Sequence, residues 1–399
     1  MKKLTPHILP LLLLLLSSCS ADEGVAPLPP LPPEENHAVQ FRATVGGDNT
    51  SGAYEEEYFK VDDEIRISCP VSHATPDFSD NANGMFVYKY DQVKEGTTDW
   101  SQWPYHFVPQ TVDGGFDWRF LQPTSIYYVF EAIHFPARQP FKDNKVPTDQ
   151  HILSKKKADG SFLEARGLDA ADMLIAHHRQ TLLNARLTVP LTFYHAFAMV
   201  EVTVELPVHW SAKEGAFPPN ALKKVYMNDM LLEYEVNYSA TISSDGLRKV
   251  RVPTDPNNPG KDWEKKREDV TMRLISCKPE ITDATPIPDD EESKEETIQT
   301  YLFRGIVPEQ NFINSGHDFI FFEVQKYNSQ APVLYRFTVR DDQHQLTLES
   351  SKILSLHLRV DENTNPNNVV AVTADVKPWL DAVMEGDMEL VPETKNTPQ

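Results

Sequence analysis

The stretch L-T-V-P-L-T-F-Y-H-A-F-A-M-V-E-V-T-V-E-L, residues 187–206, decides the fold. It is the longest β-like run in the chain, rich in β-branched and aromatic residues. Leu187, Val189, Leu191, Phe193 and Phe197 alternate with smaller or polar residues, as a strand with one buried face requires. Near Phe197 the parity changes. Beyond it Val200, Val202, Val204 and Leu206 form the apolar set, and Glu201, Thr203 and Glu205 face the other way. A one-residue shift flips every side chain to the opposite face. Either a bulge sits near His195–Met199, or one strand ends there and another begins. Pro190 donates no ladder hydrogen bond, which puts the first half at a sheet edge or a bulge.

Working outward, the whole chain of 399 residues has room for two or more cores. Its formal charge is −21, from 59 acids and 38 bases. That argues against nucleic acid as a partner and against binding anionic lipid through a basic patch. With 31 prolines and only 16 glycines between short apolar runs, the composition reads as a loop-rich β protein.

The N-terminus reads as an export signal over residues 1–18. Lys2 and Lys3 precede an apolar core, Ile8 to Leu16, that is too short for a permanent span. Leu16-Ser17-Ser18-Cys19 resembles the lipobox of bacterial lipoproteins, which makes Cys19 the lipidation site and the first residue of the mature chain. Several acyl chains on one Cys anchor stably where a single chain is marginal. Residues 19–36 then read as a linker, with a Pro-rich run from Pro27 to Pro33 acting as a stiff spacer that holds the folded part off the membrane. Asp22 and Glu23, just behind Cys19, resemble the acidic signal that directs lipoproteins of Bacteroidota to the cell exterior. Cys69 and Cys277 remain, and the reading preferred for them is two separate buried thiols, although an exported chain could bridge them.

Short strands are expected along the rest of the chain. Val39, Phe41, Ala43 and Val45 alternate with polar residues, and further candidates are 58–68 and 85–90. The turn signal Asp113-Gly114-Gly115 precedes Phe116-Asp117-Trp118-Arg119-Phe120. Ile126 to Phe135 is almost wholly apolar, as a strand covered on both faces would be. Ala170 to Leu183, with Asp169 as N-cap, is the best helix candidate, a loop being the other choice. Pro207 to Pro219 reads as a boundary, and strand candidates continue from Leu222 to Val376. The expected architecture is all-β, with two tandem β-sandwich domains over 37–207 and 208–399.

Catalytic and metal motifs do not stand out. There is no G-x-S-x-G, H-E-x-x-H, Walker loop or EF-hand pattern. His177 and His178 are adjacent, point in different directions, and read as surface residues. His195 shares the Phe193 side of its strand and reads as a packed, hydrogen-bonded histidine. Residues 289–296 hold six acids in eight positions but lack the spacing and turn glycine of a Ca²⁺ loop. No cofactor, metal or enzymatic activity is expected. Trp100 and Trp103 are candidates for stacking on a glycan or a partner, the plainer reading being that they cap the end of the core.

The order of motifs resembles the fimbrillin family, the type V pilus subunits of Bacteroidota. Residues 59–68, F-K-V-D-D-E-I-R-I-S, are similar to the family's aromatic-x-x-Gly-Asp segment, with Asp62 where the family has Gly. Residues 128–136, 149–150 and 171–176 are similar to its Phe-x-Ala-x-x-Pro strand and its Asp-Gln and Asp-Leu-Leu-x-Ala pair. Leu191, Phe193, His195 and Ala196 with the alternating Val run, and residues 372–379 ending in Trp379, complete the series. The resemblance implies two transthyretin-like sandwiches and a structural or anchor/accessory role in cell-surface fimbriae. It implies fimbrial subunits as partners through donor-strand exchange, adhesion to a host or bacterial receptor, and a palmitate-bearing anchor in the outer membrane. Val39–Val45 would be the removable strand and Asp387–Val391 a donor. Arg42 lies inside that first strand and the next basic residue is Lys60, so an anchor subunit that keeps its lipid fits as well as a processed stalk subunit. The competing reading is a surface glycan-binding lipoprotein of a nutrient-uptake system, resting on Cys19 with Trp100 and Trp103.

Overall fold

A computed structural model describes residues 37–46, 59, 63–70, 76–78, 84–91, 105–111, 114–123, 127–134, 145–146, 148, 168, 171–184, 187–236, 250–251, 267–282, 285, 288, 296–312, 316–339, 346–367, 369 and 371–378. Cys19, Trp100, Trp103 and the Asp387–Val391 segment lie outside them. Val39–Gln399 forms one compact unit, and Met1–Ala38 falls in another. Regular structure among the described residues is strand, with one 3₁₀ turn at Leu182–Asn184 and no helix long and apolar enough to cross a membrane.

The opening stretch divides. β7 runs over Val189–His195 and β8 over Ala198–Val208, so the parity shift marks the end of one strand and the start of another. β7 belongs to a closed seven-stranded barrel with β1 (Phe41–Val45), β2 (Glu64–Ser68), β3 (Met85–Asp91), β4 (Tyr105–Pro109), β5 (Tyr127–His134) and β6 (Leu174–Thr181). Going round, the order is β1-β4-β3-β2-β5-β6-β7, and β1 closes it by pairing in parallel with β7. Closure differs from the open sandwich expected for this half. The reason is that β1 and β7 carry the same inward alternation. Phe41, Ala43 and Val45 from one, and Val189, Leu191 and Phe193 from the other, are all fully buried in one core. Seven strands leave an interior that side chains alone can fill. Aromatic rings fill it edge to face: Phe41 lies 4.9 Å from Tyr88 and 5.3 Å from Phe130, and Phe59 lies 5.0 Å from Phe107.

Pro190 sits where a proline does no harm. Beside β6, β7 pairs only over Phe193–His195, so the side of β7 at Pro190 has no ladder partner there. The expected helix at 170–183 is β6 instead. Its residues interlock with β5 along its whole length and with β7 at its start, and Leu174 and Ala176 fill the barrel core while Ile175 packs outside it. Tertiary pairing overrides a weak helical pattern here. Residues 118–120 form a turn, not a strand, after Phe116 has entered the core.

The second half has two sheets over one core. One is β12-β9-β16-β17, from β9 (Leu222–Leu231), β12 (Arg267–Thr271), β16 (Asp318–Val324) and β17 (Val333–Thr338). The other is β13-β14-β8-β19-β20, adding β13 (Arg273–Lys278), β14 (Thr297–Val307), β19 (Lys352–Arg359) and β20 (Ala371–Pro378). β8 is the central strand, antiparallel to β14 and parallel to β19. Its Val200, Val202, Val204 and Leu206 face inward, as their alternation requires, and meet Val225, Phe322 and Tyr335 of the facing sheet. Two short ribbons, β10 (Glu235–Val236) with β11 (Val250–Arg251) and β15 (Gln310–Phe312) with β18 (Leu346–Leu348), sit outside these sheets.

Phe41 tests the barrel core. It is fully buried among Tyr88, Phe116 and Phe130. Phe41→Ala is expected to cost about 3–5 kcal/mol, read as a lowered urea midpoint with an unchanged slope. A loss below about 1 kcal/mol would mean that this ring is not packed as described.

Candidate functional site: the β1 position and the open sheet edges

β1 is held on both sides by strands distant in sequence. Phe41 to Ala43 face Phe107 to Tyr105 in antiparallel register, and Phe41 to Val45 run beside Val189 to Phe193 in parallel. Its ends are pinned by main-chain bonds: Val39 N donates to Phe116 O at 2.8 Å, and Gly46 N donates to Phe193 O at 3.0 Å. Gly46 stops the strand with φ of 89°, a left-handed geometry that glycine adopts without strain. Neither neighbour is joined to β1 by a hairpin. Lifting β1 out would therefore leave β4 and β7 in place around a groove lined by Tyr105, Phe107, Leu191 and Phe193. Two rows of main-chain groups would lose their partners. Burial of Val39, Phe41 and Val45 stabilises the closed form by about 1.5–3 kcal/mol each, so an apolar replacement strand has much to gain.

The second half ends in an edge. β20 pairs with β19 on one side only. Ala374 and Val376 lie opposite Leu356 and Leu354. Those leucines are buried, yet Val376 is 42% and Val372 53% exposed. The strand overhangs the core. At the other edge, Leu274 of β13 is exposed as well. β17 is better protected, since Val369 bridges Phe337 and Arg336 N donates to Pro366 O at 2.8 Å.

Buried polar groups sit at the joints. His195, the last residue of β7, is 1% exposed and its Nδ1 lies 2.9 and 3.0 Å from the Asp172 carboxylate oxygens. Ser351 Oγ donates to the His195 carbonyl at 2.6 Å, tying β7 to the entrance of β19. The packed, hydrogen-bonded histidine expected there is what the fold holds. The surface role read for His177 is corrected. Its Nδ1 lies 2.8 Å from Glu131 Oε1, both side chains are nearly buried, and β5 pairing places the two directly opposite. His178 contacts Gln180 Oε1 at 2.8 Å instead. Among the described residues no cluster of three or more His, Cys, Asp or Glu is arranged to hold a metal ion.

On the outer face of the five-stranded sheet, Glu201 collects partners from three strands. Arg304 Nε donates to it at 3.0 Å, Ser355 Oγ at 3.2 Å and Lys377 Nζ at 3.3 Å. Burial alone would raise this carboxyl, but the Arg304 and Lys377 cations outweigh it and hold it below the usual carboxylate range. Lys377 belongs to β20, so this network fastens the edge strand. Nothing in the spacing of Glu201, Arg304 and Lys377 marks them as partners. Cys69 and Cys277 are free, half-buried thiols, and burial pushes Cys69 up to about 12.

No protein-family model matches the chain, and no curated protein does. Solved structures that align with it include a candidate cell adhesion protein of Bacteroides uniformis, 14% identical, over 86% of this chain and 98% of that one, with a TM-score of 0.45. The tip fimbrial protein Mfa3 of Porphyromonas gingivalis, truncated at its C-terminus, aligns at 11% identity over 86% of this chain and 98% of its own, TM-score 0.33. A fimbrial assembly protein of Parabacteroides distasonis aligns at 10% over 82% and 93%, TM-score 0.36. At such identities and scores the functional argument falls to the chain's own strands.

The Glu201 network sets an acid limb on stability. Its folded carboxyl titrates below the ordinary 4.5, so its contribution is full above that value and is lost as pH falls through the folded one. Glu201→Gln is expected to lower neutral-pH stability by about 1–3 kcal/mol and to flatten the loss between neutral and acid pH. Parallel urea titrations at both pH values read this. An acid limb as steep as that of the wild type would show that Glu201 does not contribute to it.

Proposed function

We propose that this chain is a non-enzymatic structural protein of the cell surface, an anchor, accessory or stalk subunit of fimbriae that joins its neighbours by β-strand complementation and supports adhesion. The observation that carries this is β1: a short strand, buried at every residue but the half-buried Arg42, whose two ladder partners are both remote in sequence. A strand so placed can be exchanged for an equivalent strand of another chain without undoing a hairpin. The order of motifs along residues 59–196 and 372–379 supports the same reading. In it, Cys19 carries the lipid that holds the protein at the outer membrane, and Asp387–Val391 supplies a donor strand. In this reading the chain carries two tandem modules, the first closed into the seven-stranded barrel and the second built around β8 with β14 and β19.

Strand exchange is tested by inserting a protease site between Gly46 and Gly52 and cutting it. Cut protein is expected to form SDS-resistant ladders, and a synthetic peptide of residues 39–45 is expected to suppress them. A strict monomer before and after cutting would refute exchange. The anchor has its own test, metabolic labelling with a palmitate analogue. Wild type should be labelled and Cys19→Ala should not, whereas equal labelling of the two would sink the lipoprotein reading.

A further inference from the structure

The strand directions sort the barrel's connections into two ends. His195 of β7, His134 of β5 and Leu174 of β6 lie together at one end, where the chain leaves for β8. The other end collects the starts of β1, β5 and β7 and the finish of β6, since Tyr127 pairs with Thr181 and Phe41 with Val189. That second pole also holds the turn after Phe116, because Val39 N donates to Phe116 O.

This pole is unusually apolar for a chain of net charge −21. Phe120 is 78% exposed, and Leu182, Leu183 and Leu187 are 42%, 60% and 56% exposed. They make up four of the nine large apolar side chains exposed among the described residues, all on connections at one end of the barrel. Two cations stand among them. The Arg119 guanidinium lies 5.3 Å from the Phe120 ring centre and pairs with Asp117, and that of Arg179 lies 5.0 Å from the ring of Tyr127. Among the described residues no carboxylate pairs with Arg179. Exposed leucines and a phenylalanine, rimmed by arginine and tyrosine, are the chemistry of a protein face that rests in a lipid headgroup layer.

Chain connectivity says which surface that is. Val39, the first residue of the barrel core, begins at this same pole, so everything upstream of it is tethered there. The span from Cys19 to Val39 reaches at most roughly 70 Å. We propose that the Phe120–Leu183–Leu187 pole is a membrane-docking face: it seats the barrel end-on against the bilayer that holds the Cys19 lipid, with Arg119 and Arg179 meeting anionic phosphate oxygens. The inference rests on the lipoprotein reading of Cys19. The Pro-rich spacer sets only the farthest distance, and the pole sets the resting one. Net charge repels the rest of the surface from anionic lipid, which orients the molecule by leaving one face able to approach. The tether supplies the local concentration that a small apolar patch needs. Docked this way, the second module and the open β20 edge are turned away from the membrane.

The test uses the full lipidated chain reconstituted into phosphatidylethanolamine–phosphatidylglycerol vesicles, with and without bromine on the acyl chains. Phe120→Trp places a reporter at the pole, and Leu334→Trp places one on exposed β17 of the second module as control. The emission added by Phe120→Trp is expected to fall by about half in brominated vesicles, the Leu334→Trp emission to stay unchanged, and Leu183→Asp with Arg179→Gln to remove the quenching. Flotation reports the anchor separately. Protein that does not float would end the lipoprotein reading and this inference with it. Protein that floats while Phe120→Trp emission stays unquenched overturns the docking face alone. Phe120→Trp emission that changes with protein concentration in detergent and is indifferent to bromine would give the pole to a second copy, and also overturns it.

Discussion

The parallel contact between β1 and β7 is the constraint on which the first half of this protein depends. Without it the seven strands form an open sheet with two bare edges, β1 and β7, and Phe41 and Val45 lose the Val189–Phe193 row beside them. With it the edges vanish. A parallel neighbour far away in sequence comes at a loop-closure cost that a hairpin avoids. The contact therefore has to be held by what it buries, and the aromatic interior supplies that. The same feature makes β1 separable, because nothing local binds it to either neighbour. Stability of the barrel and the proposed exchange of β1 rest on one arrangement.

Much of the fold was legible because period-2 alternation is a local signal. The run through Val200, Val202, Val204 and Leu206 announced a strand and its inward face, and the parity slip near Phe197 announced either a bulge or a junction, of which the fold holds the junction. What alternation does not encode is pairing. The division of the long run between two different sheets depends on β14 and β19, both remote from it in sequence. For the same reason the Pro-rich stretch beginning at Pro207 looked like a boundary, although it connects β8 to β9 within the second module. β6 failed in the opposite direction. Its residues carry no clean alternation because both of its faces are covered, Leu174 and Ala176 by the barrel core and Ile175 by the second one. Of the candidate site, the separable first strand was visible from Val39 to Val45, whereas the Asp172 partner of His195 and the Glu201 network were not. Ion pairs across strands are set by register, which is a property of the folded sheet.

Placement of the charges follows from the same geometry. Acidic as the chain is, it buries Glu131, Asp172 and Glu201. Each is matched to a histidine or an arginine at a joint: β5 to β6, β6 to β7, β8 to β14. Buried pairs of this kind are weak contributors to net stability compared with apolar packing, but they penalise any register that separates them. In sheets whose neighbours are remote in sequence, a register error is the easiest mistake to make, and these pairs fall where such errors would start.

The two ends of the barrel then differ in kind. At the His195 end the chain is locked to the second module by the Ser351 bond to the His195 carbonyl and by the packing of Ile133, Met173 and Phe197 into the second core. At the Phe120 end the side chains that would close a self-sufficient core overshoot it: Trp118 packs 5.3 Å from Tyr128, while Phe120 and the three leucines stand outside. Apolar surface left in water has no stabilising role in an isolated molecule, and four of the nine large apolar side chains exposed among the described residues stand at this pole, beside the start of β1. On the proposed reading, an anchored protein that exchanges strands would present its groove and its free edge to neighbours and not to the bilayer. A docking base at the barrel pole, with the β20 edge on the other module, would meet that requirement with no moving part.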